Sequence, residues 1–149
     1  MISHENYTAL HINELRTLTG ADPSILERTV FAFGLLEAIR AVGLPFIFKG
    51  GTSLLVLLDE PRRLSTDIDI IVEPGTEIDE YINKAGTIFP FLSVEEHIRK
   101  GINNIEKRHF RFMFESPMTK RRFNILLDVL FDTIRTVEHM ISQFAANYC

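Results

Sequence analysis

Two aspartates one residue apart, Asp67 and Asp69, are the best candidates in this chain for chemistry. They lie in the run Asp-Ile-Asp-Ile-Ile-Val, whose β-branched residues are typical of a buried strand. Side chains alternate between the faces of a strand, so both carboxylates would lie on one face, roughly 7 Å apart. Buried carboxylates are costly unless a cation or donors compensate them. We therefore expect a metal site, although the same motif alone is common in solvated turns and helix caps.

A glycine pair, Gly50 and Gly51, separates two apolar segments that we predict to be a strand and a short helix. Glycine allows the main chain to approach a ligand closely, and free amides at a helix start favour an anion. The hydroxyls of Thr52 and Ser53 would be further donors. The segment therefore indicates a triphosphate site, whereas a glycine pair alone more often forms a turn without a ligand.

A third carboxylate, Asp128, lies among apolar neighbours in the run Ile-Leu-Leu-Asp-Val-Leu-Phe. Aspartate is depleted from strands and is rarely buried without a partner. Taken alone, Asp128 is best interpreted as a structural residue that local donors satisfy. Together with Asp67 and Asp69 it is better interpreted as the third member of a charged site.

At these residues the chain resembles the nucleotidyltransferases of the DNA polymerase beta superfamily, and most closely the AbiEii/AbiGii toxin branch. A Lys-Gly-Gly-Thr turn followed by Arg-x-Ser-x-Asp-x-Asp marks that branch, and a later strand carries a third acidic residue. The matching positions are Lys49, Gly50, Gly51, Thr52, Arg63, Ser65, Asp67, Asp69 and Asp128. The resemblance extends over residues 24–131 and implies an α+β nucleotidyltransferase fold, polymerase beta-like, with a mixed β-sheet flanked by helices.

The resemblance implies that Asp67, Asp69 and Asp128 hold two Mg²⁺ ions and transfer a nucleoside monophosphate from a nucleoside triphosphate (NTP). The first two would bridge the ions and the triphosphate, and Asp128 would hold the ion that activates the acceptor hydroxyl. Nucleotide-binding roles fall to Lys49, Gly50, Gly51, Thr52, Ser53, Arg63 and Ser65. Arg63 could equally pair with a carboxylate, and Ser65 could simply cap a turn.

The same resemblance implies a toxin that acts on tRNA, another RNA or a protein and is held in check by a cognate antitoxin. Two alternatives remain open from the residues. One is a non-catalytic nucleotide-binding module, and the other is an inactive scaffold with the same fold. Product formation separates the enzyme from the module, and loss of nucleotide binding identifies the scaffold.

The composition is that of one globular domain, residues 1–149, with 46% hydrophobic residues. Relatives in the toxin branch continue into a helical C-terminal region, so we expect the chain to lack that region. A net charge of −4 argues against a large non-specific nucleic-acid surface. Basic residues nevertheless cluster late in the chain around three phenylalanines. They form either an RNA patch or, as we prefer, the solvated face of two strands: Lys100, Lys107, Arg108, Arg111, Lys120, Arg121 and Arg122.

The chain has one cysteine, Cys149, which excludes an internal disulfide. No apolar run reaches the length that a membrane span requires, and the N-terminus does not resemble a signal peptide. We therefore expect a cytoplasmic protein without a membrane partner. The five histidines lack metal-ligand spacing and are expected at surface or packing positions.

Hydrophobic periodicity predicts helices over 5–18, 24–42, 52–59 and 76–87, and a last helix that contains Val137, Met140, Ile141 and Phe144. Strands are predicted over 46–49, 67–72, 106–115 and 121–131. The last two would form a hairpin through 116–120. The predicted sheet is mixed, with the acidic residues on its strands.

Overall fold

The computed structural model describes residues 2–49, 66–97 and 106–133, together with positions 142 and 146. Within these ranges a 3-10 turn, His4–Tyr7, precedes helices α1 (Ala9–Thr19), α2 (Pro23–Ala41) and α3 (Asp79–Ala85). The strands are β1 (Ile47–Lys49), β2 (Ile68–Val72), β3 (Ser93–Glu96), β4 (Lys107–Glu115) and β5 (Arg122–Phe131).

The strands form a five-stranded sheet in the order β1-β2-β5-β4-β3. β2 and β5 pair in parallel, whereas the pairs β1–β2, β4–β5 and β3–β4 are antiparallel. The chain therefore leaves β2 through α3, adds β3 and β4, and returns as β5 in the centre of the sheet. The prediction of a mixed sheet is confirmed.

Helices α2 and α3 cover one face of the sheet, where alternate strand residues form the core, and α1 packs on α2. α2 contributes Phe31, Leu35 and Ile39 to this core, and the rings of Phe31 and Phe114 stack with centroids 4.0 Å apart. The strand residues of the core are Ile68, Ile70, Val72, Phe110, Phe112, Phe114, Ile125, Leu127 and Val129. Because side chains alternate, the intervening residues of the same strands lie on the opposite face.

Helix α2 begins and ends within one residue of the predicted helix over 24–42, and capping contacts explain both ends. The carboxylate of Asp22 accepts hydrogen bonds from the backbone N–H groups of Ser24 and Ile25 at 2.8 and 3.3 Å. Pro23 occupies the first turn, where its missing N–H is not needed. After the helix, Gly43 adopts a φ of 85°, which glycine tolerates and which redirects the chain toward β1. Hydrogen bonds from Ser24 also lower the pKa of Asp22.

The predicted helix over 5–18 is wrong in its first turn. Thr8 is extended, with φ −115° and ψ 155°, and its hydroxyl accepts a hydrogen bond from the N–H of His11, so α1 begins after it. The separate 3-10 turn directs Tyr7 onto α2, where its ring lies 5.1 Å from that of Phe31. Burial, and then the charge of Glu37, raises the pKa of Tyr7 to about 12.

The short edge strand β3 was not predicted, because Ser-Val-Glu-Glu carries little strand signal. A charged cluster fixes it to the sheet. Arg108 on β4 donates to Glu96 at 2.9 Å and to Asp79, at the start of α3, at 2.7 Å. These hydrogen bonds lower the pKa values of both carboxyl groups. The predicted helix over 76–87 is shorter in the structure, where α3 spans Asp79–Ala85.

The predicted hairpin between β4 and β5 is confirmed, and a buried hydrogen bond anchors it. Ser116 is fully buried, and its hydroxyl donates to Glu27 of α2 at 2.7 Å. The same oxygen accepts from the backbone N–H groups of Met118 and Thr119. The contact joins the turn to the helix that covers the core.

Two predicted helices, over 52–59 and around Val137, Met140, Ile141 and Phe144, lie outside the described residues. None of the helices in the described part of the chain has the length and hydrophobicity needed to cross a membrane.

The contact between the 3-10 turn and α2 generates a stability prediction at Gly34. A Cβ at this position would lie 2.5 Å from the Tyr7 hydroxyl oxygen and 3.0 Å from its Cε1. Alanine gains about 1 kcal/mol in helix propensity, but overpacking costs about 1–3 kcal/mol. We therefore expect Gly34→Ala to lower the free energy of unfolding measured in urea.

The same substitution in a Tyr7→Phe background provides the control, because the shortest of these contacts is then absent. The loss caused by Gly34→Ala should be smaller there, as a double-mutant cycle would show. Equal losses in both backgrounds would contradict this explanation.

Candidate active site on the acidic face of the sheet

The parallel pairing of β2 and β5 sets Asp69 directly beside Asp128. The two residues are register partners, as are Ile68 and Leu127 before them. Neighbouring strands lie about 4.8 Å apart, and paired residues share a face. Because Ile68 and Leu127 are fully buried in the core, both aspartates lie on the face opposite α2. Two carboxylates that are far apart in the sequence are thus adjacent in the sheet.

Asp67 precedes β2 by one residue, and the alternation expected for this segment is confirmed. Ile68, Ile70 and Val72 are fully buried, whereas Asp67 is exposed and Asp69 is half-buried. The expectation that the carboxylates are themselves buried is wrong for Asp67. The apolar run lines the core face, and the acidic positions between its members face the other way, so burial does not by itself explain them.

Asp128 is partly accessible and has a defined hydrogen-bond partner. Its side chain is 33% exposed, and its Oδ1 lies 2.5 Å from Nδ1 of His109, whose side chain is 14% exposed. The apolar neighbours seen in the sequence, Leu127 and Val129, point into the core. Asp128 therefore has the local partner that a structural role requires, and it also lies beside Asp69, as a shared site requires.

The register extends this arrangement across four strands. Lys49, the last residue of β1, pairs with Asp69, and His109 of β4 pairs with Asp128. The backbone of Lys49, the residue before the glycine pair in the sequence, therefore lies beside Asp69. The other predicted nucleotide-binding positions lie outside the described residues: Gly50, Gly51, Thr52, Ser53, Arg63 and Ser65.

The donor set suits a hard cation such as Mg²⁺. Among residues 2–49, 66–97 and 106–133, no three His, Cys, Asp or Glu side chains are gathered closely enough to hold a metal ion. Asp67, Asp69 and Asp128 nevertheless offer only carboxylate oxygens on one face. Mg²⁺ is usually bound through one or two carboxylates, several waters and substrate phosphates, and does not need an all-protein cage. The residues present are compatible with that mode of binding.

His109 is the residue of this face that the sequence analysis missed. The histidines were expected at surface or packing positions, and His109 instead contacts a candidate catalytic carboxylate. Alternation along β4 could have placed it opposite the buried Phe110 and Phe112. The register with β5, which the sequence does not reveal, was needed to set it beside Asp128.

The phenylalanines of β4 lie inward as the preferred interpretation expects, whereas its basic residues are divided between the two faces of the strand, with Arg108 on the side of the phenylalanines. Phe110, Phe112 and Phe114 are buried, as expected. Arg108 pairs with two carboxylates, and Arg111 lies 4.0 Å from Glu95.

Comparison with known proteins identifies the family. Residues 35–147 match the model of the nucleotidyl transferase AbiEii toxin of type IV toxin-antitoxin systems. The chain belongs to this family. Membership in the AbiEii family confirms the resemblance drawn from the motif and, with it, the α+β nucleotidyltransferase fold with a mixed sheet and flanking helices.

A solved structure, the crystal structure of JHP933 from Helicobacter pylori, is similar over 70% of this chain, with 17% sequence identity and a TM-score of 0.48. The AbiEii chain spans 44% of the length of that protein. No protein of curated function matches this chain.

The paired aspartates generate a prediction about cation binding. We expect Mg²⁺ to raise the melting temperature of the protein. A ligand that binds only the folded state stabilises it by about 2.7 kcal/mol when its concentration is 100 times its Kd. Asp69→Asn should lose most of this increase, as measured by differential scanning fluorimetry over a Mg²⁺ titration.

Asp132→Asn is the matched control. Asp132 follows β5 and lies four residues beyond Asp128, about 13 Å along an extended chain. The rise in melting temperature that Mg²⁺ causes in Asp132→Asn should equal that of the wild type. An unchanged Mg²⁺ response in Asp69→Asn would contradict a cation site at the β2–β5 pair.

Proposed function

We propose that the chain catalyses Mg²⁺-dependent transfer of a nucleoside monophosphate from an NTP to a macromolecular acceptor, tRNA or protein. We further propose that it acts as a toxin that a cognate antitoxin restrains. The observation that carries this proposal is the register of Asp69 with Asp128 in the centre of the sheet. Membership in the AbiEii family supports the reaction class.

The positions of the carboxylates suggest a separate role in the reaction for each. Asp67 directly precedes β2 and Asp69 is its second residue, and Asp69 pairs with Lys49, the last residue of β1. The two aspartates would orient the triphosphate there. Asp128, one strand further, would orient the acceptor hydroxyl in line with the α-phosphorus. Mg²⁺, when bound, would neutralise the phosphate charge and lower the pKa of that hydroxyl.

In the transfer, the acceptor oxygen bonds to the α-phosphorus while its hydroxyl proton passes to water. The bond from the α-phosphorus to the oxygen that bridges the α and β phosphates breaks, which releases pyrophosphate. Lys49 and Arg63 would compensate the negative charge of the phosphates, and the hydroxyl of Ser65 would donate a hydrogen bond to them. Gly50, Gly51, Thr52 and Ser53 would bind the β and γ phosphates through backbone and hydroxyl donors.

A non-catalytic nucleotide-binding module is the second candidate. The observation that favours it is that, in the ranges the structure describes, three metal-binding side chains are not gathered in one place. Such a module would bind Mg²⁺-NTP through the same face and release it unchanged. Formation of a covalent product distinguishes the two functions.

The test is incubation of the protein with each α-³²P-labelled NTP, Mg²⁺, and total cellular RNA or protein, followed by denaturing gels. We expect one NTP to label one acceptor class. Asp67→Asn and Asp69→Asn should each abolish labelling, because each removes a carboxylate charge without altering the core.

Asp132→Asn again provides the control and should label the acceptor as the wild type does. Full labelling by Asp67→Asn and Asp69→Asn would contradict the assignment of these residues. Mg²⁺-dependent NTP binding without any labelled product would favour the binding module.

A further inference from the structure

His109 and Asp128 form a close side-chain pair on the face that carries the candidate site. Nδ1 of His109 lies 2.5 Å from Oδ1 of Asp128. Both belong to long strands in the middle of the sheet, and they are register partners. The pair is therefore held by backbone pairing and by a side-chain hydrogen bond together.

The chemistry of the two groups fixes the direction of the bond. An ionised carboxylate can only accept a hydrogen bond, so Nδ1 of His109 must carry the proton and donate it. The bond engages Oδ1. The other oxygen, Oδ2, is then the atom by which Asp128 would meet a cation or an acceptor hydroxyl.

The surroundings limit how far His109 can move. Its side chain is only 14% exposed, and its backbone carbonyl accepts a hydrogen bond from the N–H of His97 at 2.7 Å. β4 is thus paired on both sides at this position, with β5 on one side and the end of β3 on the other. A donor on so constrained a strand can hold its partner carboxylate in one orientation.

We propose that His109 is a positioning residue for nucleotidyl transfer, which holds the carboxylate of Asp128 with Oδ2 directed at the reacting groups. This inference depends on the role proposed above for Asp128. Carboxylates that bind metals are commonly oriented by hydrogen bonds from neighbouring groups, and loss of such a partner typically costs about 10–100-fold in metal affinity or activity. His109 would act through Asp128 and would not itself contact the nucleotide.

Three substitutions separate this role from simple packing. His109→Leu removes the donor and keeps an apolar side chain of similar bulk. His109→Asn places an amide nitrogen at the δ position, where Nδ1 lies, and so retains a donor to Asp128. His97→Leu is the matched control, since it removes a histidine one strand further along the same row without removing the donor to Asp128.

Two measurements are made on each variant. The first is steady-state transfer with the labelled NTP. The second is Mn²⁺ affinity in the presence of a non-hydrolysable NTP analogue, followed by electron paramagnetic resonance. We expect His109→Leu to lower kcat about 10–100-fold with a smaller change in KM for the NTP, and to weaken Mn²⁺ binding about tenfold. His109→Asn should restore most of both quantities, and His97→Leu should resemble the wild type.

Wild-type kcat and Mn²⁺ affinity in His109→Leu would overturn the proposal. A lowered melting temperature with unchanged Mn²⁺ affinity would do the same, because it would show a structural role alone. If His109→Leu does not fold, His109→Gln replaces it, since its amide lies at the ε position and offers no donor at the δ position. The same losses are then expected.

Asp128→Asn distinguishes this inference from the proposed function. If Asp128→Asn loses turnover while His109→Leu retains it, the positioning role fails and the nucleotidyltransferase assignment stands. Full turnover in Asp128→Asn would instead remove Asp128 from the site, and the role of His109 with it.

Discussion

The parallel pairing of β2 with β5 determines the architecture of the candidate site. It places Asp69 beside Asp128 with like charges on adjacent strands, an arrangement that destabilises a sheet in the absence of compensation. Apolar residues on the opposite face of the same strands stabilise this pairing. There Ile68, Leu127 and Val129 are buried beneath α2, and their burial fixes the register that holds the two carboxylates together.

One face of the sheet therefore stabilises the fold, and the other carries the candidate site. The covered face is apolar and is secured to α2 by stacked rings and by the buried hydrogen bond between Ser116 and Glu27. The other face carries the acidic residues and His109. Because side chains alternate along a strand, Asp69 and Asp128 are not among the residues that form the core beneath α2. The charges of a metal site can thus be arranged on strands whose stability comes from elsewhere.

The sequence was sufficient for the features that depend on local pattern. The alternation around Asp67 and Asp69, the inward phenylalanines of β4 and the bounds of α2 follow from periodicity and capping, and the motif identified the family. Three other features could not be predicted. β3 is too short and too charged to signal a strand, and Thr8 interrupts a helical pattern by capping α1 from an extended conformation.

The third unpredicted feature is the contact of His109 with Asp128. Alternation assigns a residue to a face, but it does not say which residue of a distant strand lies beside it. That information resides in the register between strands, which the packing of the whole core decides. The same limit applies to Asp69 and Asp128, which the sequence groups by their apolar settings and by the family resemblance, whereas only the register places them side by side.

The most direct test of this account is a crystal structure of the protein with Mn²⁺ and a non-hydrolysable NTP analogue, in which anomalous scattering locates the ions. We expect an ion coordinated by carboxylate oxygens of Asp69 and Asp128 and by phosphate oxygens of the nucleotide. Nucleotide and ion bound elsewhere, with neither aspartate as a ligand, would contradict it.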